Sequence, residues 1–288
     1  MPELPEVETI ARGLAPQVEG RRITAVSILN DSSVAGNRAR LEADLPGCLV
    51  DRVGRRGKLL LMELTPETAT AQPIQTGTGL PSHLAFHLKM SGRLFVYPQG
   101  TPPERHTRIA LDLSDGNRLF FDDTRKFGFC RVLCPEDFAN WPFWQTLGPE
   151  PLTIAKTPFV ALFHGRRTRI KAALLDQTVI AGIGNIYADE SLFRARIRPD
   201  APCNTLSAAQ LGTLHTVLRE VLEQAIRECG SSIRDYRDAH GDAGAFQNRF
   251  LAYGRSGMPC TICGTPMLTT KVAGRTTVFC AHCQTAGS

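Results

Sequence analysis

Four cysteines near the C-terminus are spaced to bind a metal ion. They form two Cys-x2-Cys pairs, Cys260/Cys263 and Cys280/Cys283, separated by sixteen residues. Such pairs are typical of a tetrahedral four-cysteine zinc site, and two disulfides or a redox pair are the alternative. Because four protein ligands close the coordination sphere, we expect one structural Zn2+ that holds the intervening hairpin, with Arg275, rigid. The other five cysteines are scattered and are interpreted as reduced thiols.

The N-terminus offers a second kind of chemistry. Met1 precedes the small residue Pro2, so aminopeptidase trimming should expose a secondary amine. A terminal amine titrates near pH 7.7–8.0, and its neutral form can attack an electrophilic sugar carbon to give an iminium. Glu3 and Glu6 flank the proline and could move protons, and Lys58 lies on a strand that could approach it. The alternative is that these residues form only a capped acidic helix start.

Hydrophobic periodicity predicts the elements that must position these groups. An apolar stripe predicts a helix over residues 3–19. Alternating patterns predict strands at 23–29, 58–64, 83–88, 109–113 and 118–121, which is typical of an antiparallel sandwich or barrel. Residues 66–82 are rich in Thr, Pro and Gly and are predicted to form a mobile hairpin tip.

The second half of the chain has helical periodicity. Short helices are predicted near 157–164, 169–177 and 184–195, and a long one over 207–229 begins with a capping-box pattern. We therefore predict a multidomain α+β protein with an N-terminal domain over 1–133 and a linker over 134–156. A helical domain over 157–245 and a zinc finger over 246–288 would follow.

The net charge of +5 and three clusters of basic residues indicate a partner with phosphate groups. The clusters contain Arg52, Arg55, Arg56 and Lys58; Arg166, Arg167, Arg169 and Lys171; and Arg194, Arg196 and Arg198. A solvated face is the alternative for any one cluster. No apolar run is long enough for a membrane span and no secretory signal is recognised, so we expect a cytoplasmic, nucleoid-associated protein.

Ordered motifs along the whole chain resemble those of the formamidopyrimidine-DNA glycosylase family, which includes endonuclease VIII. The motifs are Met1-Pro-Glu-Leu-Pro-Glu6, Arg56-Gly-Lys58, His87-Leu-Lys-Met90-Ser-Gly92, Asp123-Thr-Arg125-Lys-Phe127-Gly128, Leu147-Gly-Pro-Glu-Pro151, Gly182-Ile-Gly-Asn185-Ile-Tyr-Ala-Asp-Glu190, Tyr253-Gly-Arg255 and the four-cysteine ribbon with Arg275. The resemblance implies a β-sandwich, a helix–two-turn–helix module and a zinc finger, with damaged duplex DNA bound between the halves.

The resemblance also implies residue roles. Pro2 would be the nucleophile at C1′, Glu3 the general acid and base, Glu6 a supporting residue, and Lys58 a catalytic and phosphate-contacting residue. Other positions would contact DNA, namely Met90, Arg125 and Phe127 in the gap left by the everted nucleotide, Asn185 and Arg275 at phosphates, and more weakly Lys171, Tyr253 and His87.

For several of these residues the alternative is an ordinary structural role without DNA contact. Met90 and Phe127 could be sandwich core, and His87 could be a buried structural histidine. Lys171 could be a surface lysine, and Tyr253 a packed tyrosine. The loop around Asp238–Phe246 resembles a lid over the everted base, with glycines that would allow motion.

The expected activity is that of a monomeric bifunctional DNA glycosylase and AP lyase for oxidised purines. The base would be released first, an iminium with Pro2 would form next, and β- and δ-elimination would then cleave the strand. A glycosylase for oxidised pyrimidines, as in endonuclease VIII, is one alternative, and a damage-binding protein that does not cut is another.

Overall fold

The computed structural model describes residues 1–67, 79–232 and 236–286. It divides into two compact units, the first with residues 1–145 and 231–244, the second with 146–230 and 245–288. Most of the predicted hairpin tip at 66–82 lies outside the described residues. Across the part of the chain that is described, no helix has both the length and the apolar character needed to cross a bilayer.

The first unit is a sandwich of two antiparallel sheets with a helix at its start. Its elements are α1 (Leu4–Val18), β1 (Ile23–Ile28), α2 (Arg38–Asp44), β2 (Leu49–Arg56), β3 (Leu59–Thr65), β4 (His83–His87), β5 (Gly92–Tyr97), β6 (Thr107–Leu113), β7 (Arg118–Asp123), β8 (Phe129–Leu133), α3 (Pro135–Asn140) and α4 (Pro142–Gln145). One sheet has the order β1-β6-β7-β5 and the other β2-β3-β4-β8.

The core of this unit combines the apolar sides of both sheets with one face of α1. Val7, Ile10 and Leu14 on α1 pack with residues such as Phe86 and Phe121 from the two sheets. A smaller aromatic cluster that includes Trp141 joins α3 and α4 to strands β3, β4 and β8. The predicted linker region therefore contains two helices that pack on the sheet.

The second unit is helical and ends in a hairpin. Its elements are α5 (Lys156–Phe163), α6 (Ile170–Leu175), α7 (Asn185–Arg194), α8 (Ala208–Arg227), β9 (Leu268–Val272) and β10 (Arg275–Phe279). Ser207 caps α8, because its hydroxyl accepts a hydrogen bond from the N–H of Gln210. The apolar stripe of α8 forms much of this unit's core. The predicted fold class, a β-sandwich with a helical module and a cysteine hairpin, is confirmed.

Candidate active site

The carboxylate of Glu6 orders the N-terminal end of α1. Its Oε2 accepts a hydrogen bond from the N–H of Glu3 at 2.8 Å, and its Oε1 accepts one from the N–H of Ser231 at 2.8 Å. Glu3, Glu6 and the neighbouring Pro2 are all buried, while Met1 is half exposed. Glu6 thus fixes the backbone next to the predicted nucleophile from two sides.

Strand β2 carries Lys58 towards this end of α1. The N–H of Val53 donates to Glu19 beyond the C-terminal end of α1, and the Arg55 guanidinium pairs with Glu8 near its start, both at 2.8 Å. The strand therefore runs along the helix towards its first turn, and the two-residue turn that follows contains Lys58. The side chain of Lys58 is buried at 7% exposure, so its ammonium acts in a weakly screened environment.

His87 lies at the same end of the sheet, on β4. It is paired in register with Leu59, the residue after Lys58, and with Phe129 on β8. Its Nδ1 accepts a hydrogen bond from the N–H of Lys89 at 3.1 Å. Burial, with the charges of Lys89 and Lys58, lowers the pKa of His87 to about 3. The imidazole is therefore neutral at working pH, and Nε2 carries its proton.

Two loops at this end present the residues predicted to fill the DNA gap. Met90 lies between β4 and β5, while Arg125 and Phe127 lie between β7 and β8. Met90 is 42% exposed and Phe127 is 57% exposed, so neither belongs to the sandwich core. The Arg125 Nη1 lies 3.2 Å from the Sδ of Met90, and its guanidinium carbon lies 5.6 Å from the ring centre of Phe127. The three side chains thus form one exposed cluster.

In the second unit, Asn185 and the residue after Arg275 are joined directly. Asn185 is the first residue of α7, and its Nδ2 donates to the backbone oxygen of Thr276 at 3.1 Å. Arg275 begins β10 and is exposed. The predicted phosphate-contacting pair is therefore brought together by the packing of the cysteine hairpin against the start of α7.

Lys171 lies in the interior and is not a surface lysine. Its Nζ donates to Asp189 Oδ1 at 2.6 Å and to Thr277 Oγ1 at 2.7 Å, and the Lys171 side chain is fully buried. Burial raises the pKa of Asp189 to about 6, against the opposing effect of the Lys171 ammonium. The geometry directs this ammonium to protein acceptors that link α6, α7 and β10.

Tyr253 is held by a carboxylate on α7. The Oε1 of Glu190 accepts hydrogen bonds from the N–H groups of Leu251, Ala252 and Tyr253 at 3.1, 2.9 and 2.8 Å. Glu190 is fully buried, and the ring of Tyr253 contacts that of Phe250 at 5.4 Å. Tyr253 is thus a partly buried residue with a fixed backbone.

The four ribbon cysteines fit a zinc ion. All four Sγ atoms lie within 4.8 Å of one another, with 3.9 Å between Cys260 and Cys283 and 3.5 Å between Cys263 and Cys280. A tetrahedral site with Zn–S bonds of about 2.3 Å needs sulfur atoms about 3.8 Å apart. The observed separations match this requirement, so the cysteines form a structural zinc site at the base of the hairpin that carries Arg275.

The segment resembling a lid is divided between the two units: residues 238–244 belong to the first unit, and Phe246 is buried in the helical core of the second. Tyr236 and Ala239 belong to the sandwich core. Ala239 packs closely on α1, because a methyl group added at Gly13 would lie only 2.9 Å from the Cβ of Ala239. Asp238 Oδ1 accepts hydrogen bonds from the N–H groups of His240 and Asp242, each at 2.9 Å. Residues 233–235 lie outside the described residues.

Sequence reasoning did not single out four polar residues that hold the site. Asp189 and Glu190 fix the second unit, while Ser91 and Asp123 join the two loops of the exposed cluster. Ser91, Asp123, Asp189 and Glu190 all lie inside the motifs quoted above. The motifs were the only signal, because a buried hydrogen bond between distant residues leaves no periodic pattern.

Comparison with known families agrees with this architecture. Residues 1–130 match the N-terminal domain of formamidopyrimidine-DNA glycosylase, residues 147–237 its helix–two-turn–helix domain, and residues 257–286 the zinc finger found in this glycosylase and in isoleucyl-tRNA synthetase. The chain belongs to the formamidopyrimidine-DNA glycosylase family, a family of DNA glycosylases with a structural zinc finger.

Individual relatives match over their full length. The formamidopyrimidine-DNA glycosylase of Nitratidesulfovibrio vulgaris is 45% identical, covering 99% of this chain and all of the relative. That of Desulfitobacterium hafniense is 42% identical with the same coverage. Among solved structures, Lactococcus lactis Fpg with abasic-site DNA has a TM-score of 0.86 and 33% identity over 98% of this chain and 99% of that one. MutM with DNA containing carbocyclic 8-oxo-G has a TM-score of 0.85 at the same identity and coverage.

Proposed function

We propose that this chain is a bifunctional DNA glycosylase and AP lyase of base excision repair that excises oxidised purines from duplex DNA. The observation that carries the proposal is the gathering of candidate groups at one end of the sandwich. The start of α1 with Glu3 and Glu6, the turn with Lys58, and the exposed cluster of Met90, Arg125 and Phe127 belong to a single unit.

The proposed chemistry begins with removal of Met1, because the nitrogen of Pro2 is an amide while Met1 is present. The freed amine then forms a bond to C1′, the glycosidic bond breaks, and the base leaves with its electron pair and a proton. Glu3 protonates O4′ as the C1′–O4′ bond opens, which leaves an iminium between Pro2 and the sugar. The Lys58 ammonium stabilises the nearby phosphate charge.

Strand cleavage follows from the iminium. Loss of a proton from C2′ expels the 3′ phosphate in β-elimination, and a second proton loss expels the 5′ phosphate in δ-elimination. Hydrolysis then frees Pro2. Each phosphate leaves with the electron pair of its C–O bond, so neither an oxidant nor a reductant is needed, and a one-nucleotide gap remains.

DNA contacts complete the proposal. The enzyme must evert its target nucleotide to reach C1′, which requires a few kcal/mol of unstacking. Met90 and Phe127 would wedge into the vacancy, and Arg125 would hydrogen-bond the orphaned base. Asn185 and Arg275 would bind phosphates beside the lesion, with smaller contributions from His87 and Tyr253. We expect a monomer that works on chromosomal DNA in the cytoplasm.

The choice of purines is supported by two solved relatives. Lactococcus lactis Fpg binds DNA containing N7-benzyl-Fapy-dG, and a MutM protein binds DNA containing carbocyclic 8-oxo-G. Measuring excision of 8-oxoguanine and of thymine glycol from matched duplexes tests this choice. A clear preference for thymine glycol would favour the oxidised-pyrimidine alternative.

Borohydride trapping tests the mechanism. The protein is incubated with a duplex carrying 8-oxoguanine opposite cytosine, the iminium is reduced, and the adduct is mapped by mass spectrometry. We expect one covalent adduct, on Pro2. An adduct elsewhere contradicts the nucleophile assignment. DNA binding without any adduct, with Met1 shown to be absent, favours first the oxidised-pyrimidine alternative and then a damage-binding protein that does not cut.

Replacement of the nucleophile gives an independent test. Pro2→Gly should retain DNA binding and greatly slow cleavage, because a primary amine replaces the constrained secondary one. Pro98→Gly is the matched control, since Pro98 is exposed in a distant turn of the same unit. Unchanged cleavage by Pro2→Gly would contradict the assignment.

A further inference from the structure

Asp123 at the end of β7 is a fully buried carboxylate whose hydrogen bonds all reach loop residues. Its Oδ1 accepts from the Ser91 hydroxyl at 2.5 Å and from the N–H of Arg125 at 3.1 Å. Its Oδ2 accepts from the N–H of Gly128 at 2.7 Å. The carboxylate therefore sits inside the loop that carries Arg125 and Phe127 and holds it at both ends.

Ser91 extends the same network to the other loop. Its Oγ donates to Asp123 and also accepts a hydrogen bond from the N–H of Arg125 at 3.1 Å. Ser91 directly follows Met90, and its side chain is 6% exposed. One buried hydroxyl and one buried carboxylate thus couple the backbone beside Met90 to the backbone of Arg125.

The pairing of β7 with its neighbours does not depend on the Asp123 side chain. The backbone N–H of Asp123 donates to the oxygen of His106 at 2.9 Å, and its backbone oxygen accepts from Arg108 Nε at 2.7 Å. Backbone groups thus satisfy the strand, which leaves the carboxylate to organise the loops. The backbone of Asp123 thus serves the sandwich, whereas its carboxylate has a positioning role in the loops.

Packing leaves the loops little room for another arrangement. A methyl group on Gly128 would lie 2.8 Å from Phe121 and 2.9 Å from the backbone oxygen of His87. One on Gly92, next to Ser91, would lie 2.6 Å from the backbone oxygen of Leu88. All three distances are shorter than a carbon atom tolerates, so the ends of both loops are fixed by close packing.

We propose that Ser91 and Asp123 are positioning residues that set the exposed cluster of Met90, Arg125 and Phe127 for insertion into damaged duplex DNA. The inference rests on the proposed function, in which that cluster fills the gap left by the everted nucleotide. Neither residue touches the reacting sugar. Their loss should therefore impair the steps that require a filled gap and spare the chemistry at C1′.

Two substrates separate these steps. Excision of 8-oxoguanine from a duplex requires eversion and gap filling, whereas a single-stranded oligonucleotide with a preformed abasic site requires neither. Both lead to the same iminium on Pro2. Single-turnover rates are measured on both for the wild type, Ser91→Ala and Asp123→Asn. Fluorescence of 2-aminopurine placed beside the lesion reports base unstacking directly.

The first unit offers matched controls at another hairpin. Asp115 Oδ1 accepts from the N–H of Asn117 at 3.0 Å, two residues on, as Asp123 does from Arg125. Ser114 Oγ accepts from a backbone N–H, that of Arg22, at 3.0 Å. Asp115→Asn and Ser114→Ala therefore remove the same kinds of hydrogen bond far from the cluster and should behave as the wild type.

We expect Ser91→Ala and Asp123→Asn to slow duplex excision roughly 10- to 100-fold, because a displaced cluster offsets less of the cost of everting the target nucleotide. The 2-aminopurine signal should be weaker, and the rate on the abasic single strand should be unchanged. Equal losses on both substrates would overturn the inference in favour of a general structural role, and so would unchanged duplex excision. A wild-type protein that excises no 8-oxoguanine would instead overturn the proposed function.

Discussion

The ammonium of Lys171 and the carboxylate of Asp189 form an ion pair at 2.6 Å in which neither side chain is more than 1% exposed. Thr277 accepts a further hydrogen bond from the same ammonium at 2.7 Å. The pair therefore links two helices to the cysteine hairpin at a point where no solvent can compensate for a missing charge.

Removal of one partner should destabilise the second unit strongly. In Lys171→Met a buried Asp189 carboxylate has lost its counter-charge, and we expect the free energy of unfolding to fall by about 3–5 kcal/mol. Lys171→Met/Asp189→Leu should recover much of this loss. Urea unfolding followed by far-UV circular dichroism measures both. Lys271→Met, at an exposed lysine of β9, is the control. Equal free energies of unfolding for Lys171→Met and Lys271→Met would contradict the prediction.

The neutral state of His87 predicts a pH dependence of stability. In the unfolded chain the histidine has a pKa near 6.5, whereas its pKa in the folded chain is about 3. Between these values the unfolded chain binds a proton that the folded chain does not. Stability is therefore lost as the pH falls through this range, by at most about 1.4 kcal/mol per pH unit.

His87→Gln should remove this contribution. Urea unfolding at several pH values below 6.5 should give a shallower dependence for His87→Gln than for the wild type. His164→Gln, at an exposed histidine, should keep the wild-type slope. Parallel curves for all three proteins would show that His87 does not titrate as inferred.

Glu6 should matter for catalysis without touching the sugar. Glu6→Gln places an amide NH2 against the backbone N–H of Glu3 or of Ser231, from each of which the carboxylate now accepts a hydrogen bond. The N-terminus then loses a hydrogen bond that fixes its backbone, and we expect borohydride trapping to slow by roughly tenfold or more while DNA affinity is retained. Glu42→Gln, at an exposed glutamate of α2, is the control. Trapping at the wild-type rate by Glu6→Gln would contradict the role.

Loss of zinc should act on DNA binding. Elemental analysis should find one zinc per chain, and Cys263→Ser should lower that content and weaken DNA affinity, because the hairpin with Arg275 loses its fixed base. Cys229→Ser, at an exposed cysteine outside the cluster, should retain both properties. Full zinc content in Cys263→Ser would exclude it as a required ligand.

Elements with a strong local signal were predictable from the sequence. The helix predicted over 207–229 is α8, Ala208–Arg227, because its apolar stripe and its capping serine both act within a few residues. The metal site followed from spacing alone. Strand β2 was missed because its arginines and Gly54 interrupt the alternation that marks a half-buried strand.

Contacts across the sequence were not predictable. Lys171 and Thr277 are 106 residues apart, and Ser91 and Asp123 are 32 apart, so no periodicity joins them. A lysine also gives no sequence sign of being buried when its counter-charge comes from another helix. Motif resemblance marked these segments as important, but it could not assign roles within them.

Met90 and Phe127 both contact Arg125, so each of these side chains is partly fixed by its neighbours within the chain. Long side chains such as methionine and arginine lose up to about 2 kcal/mol of rotamer freedom each when they are fixed. Part of that entropy loss therefore belongs to folding and not to association with DNA. In the proposed complex, each base pair scanned along an intact helix would meet the same three side chains, and discrimination between pairs would depend on how easily each pair unstacks.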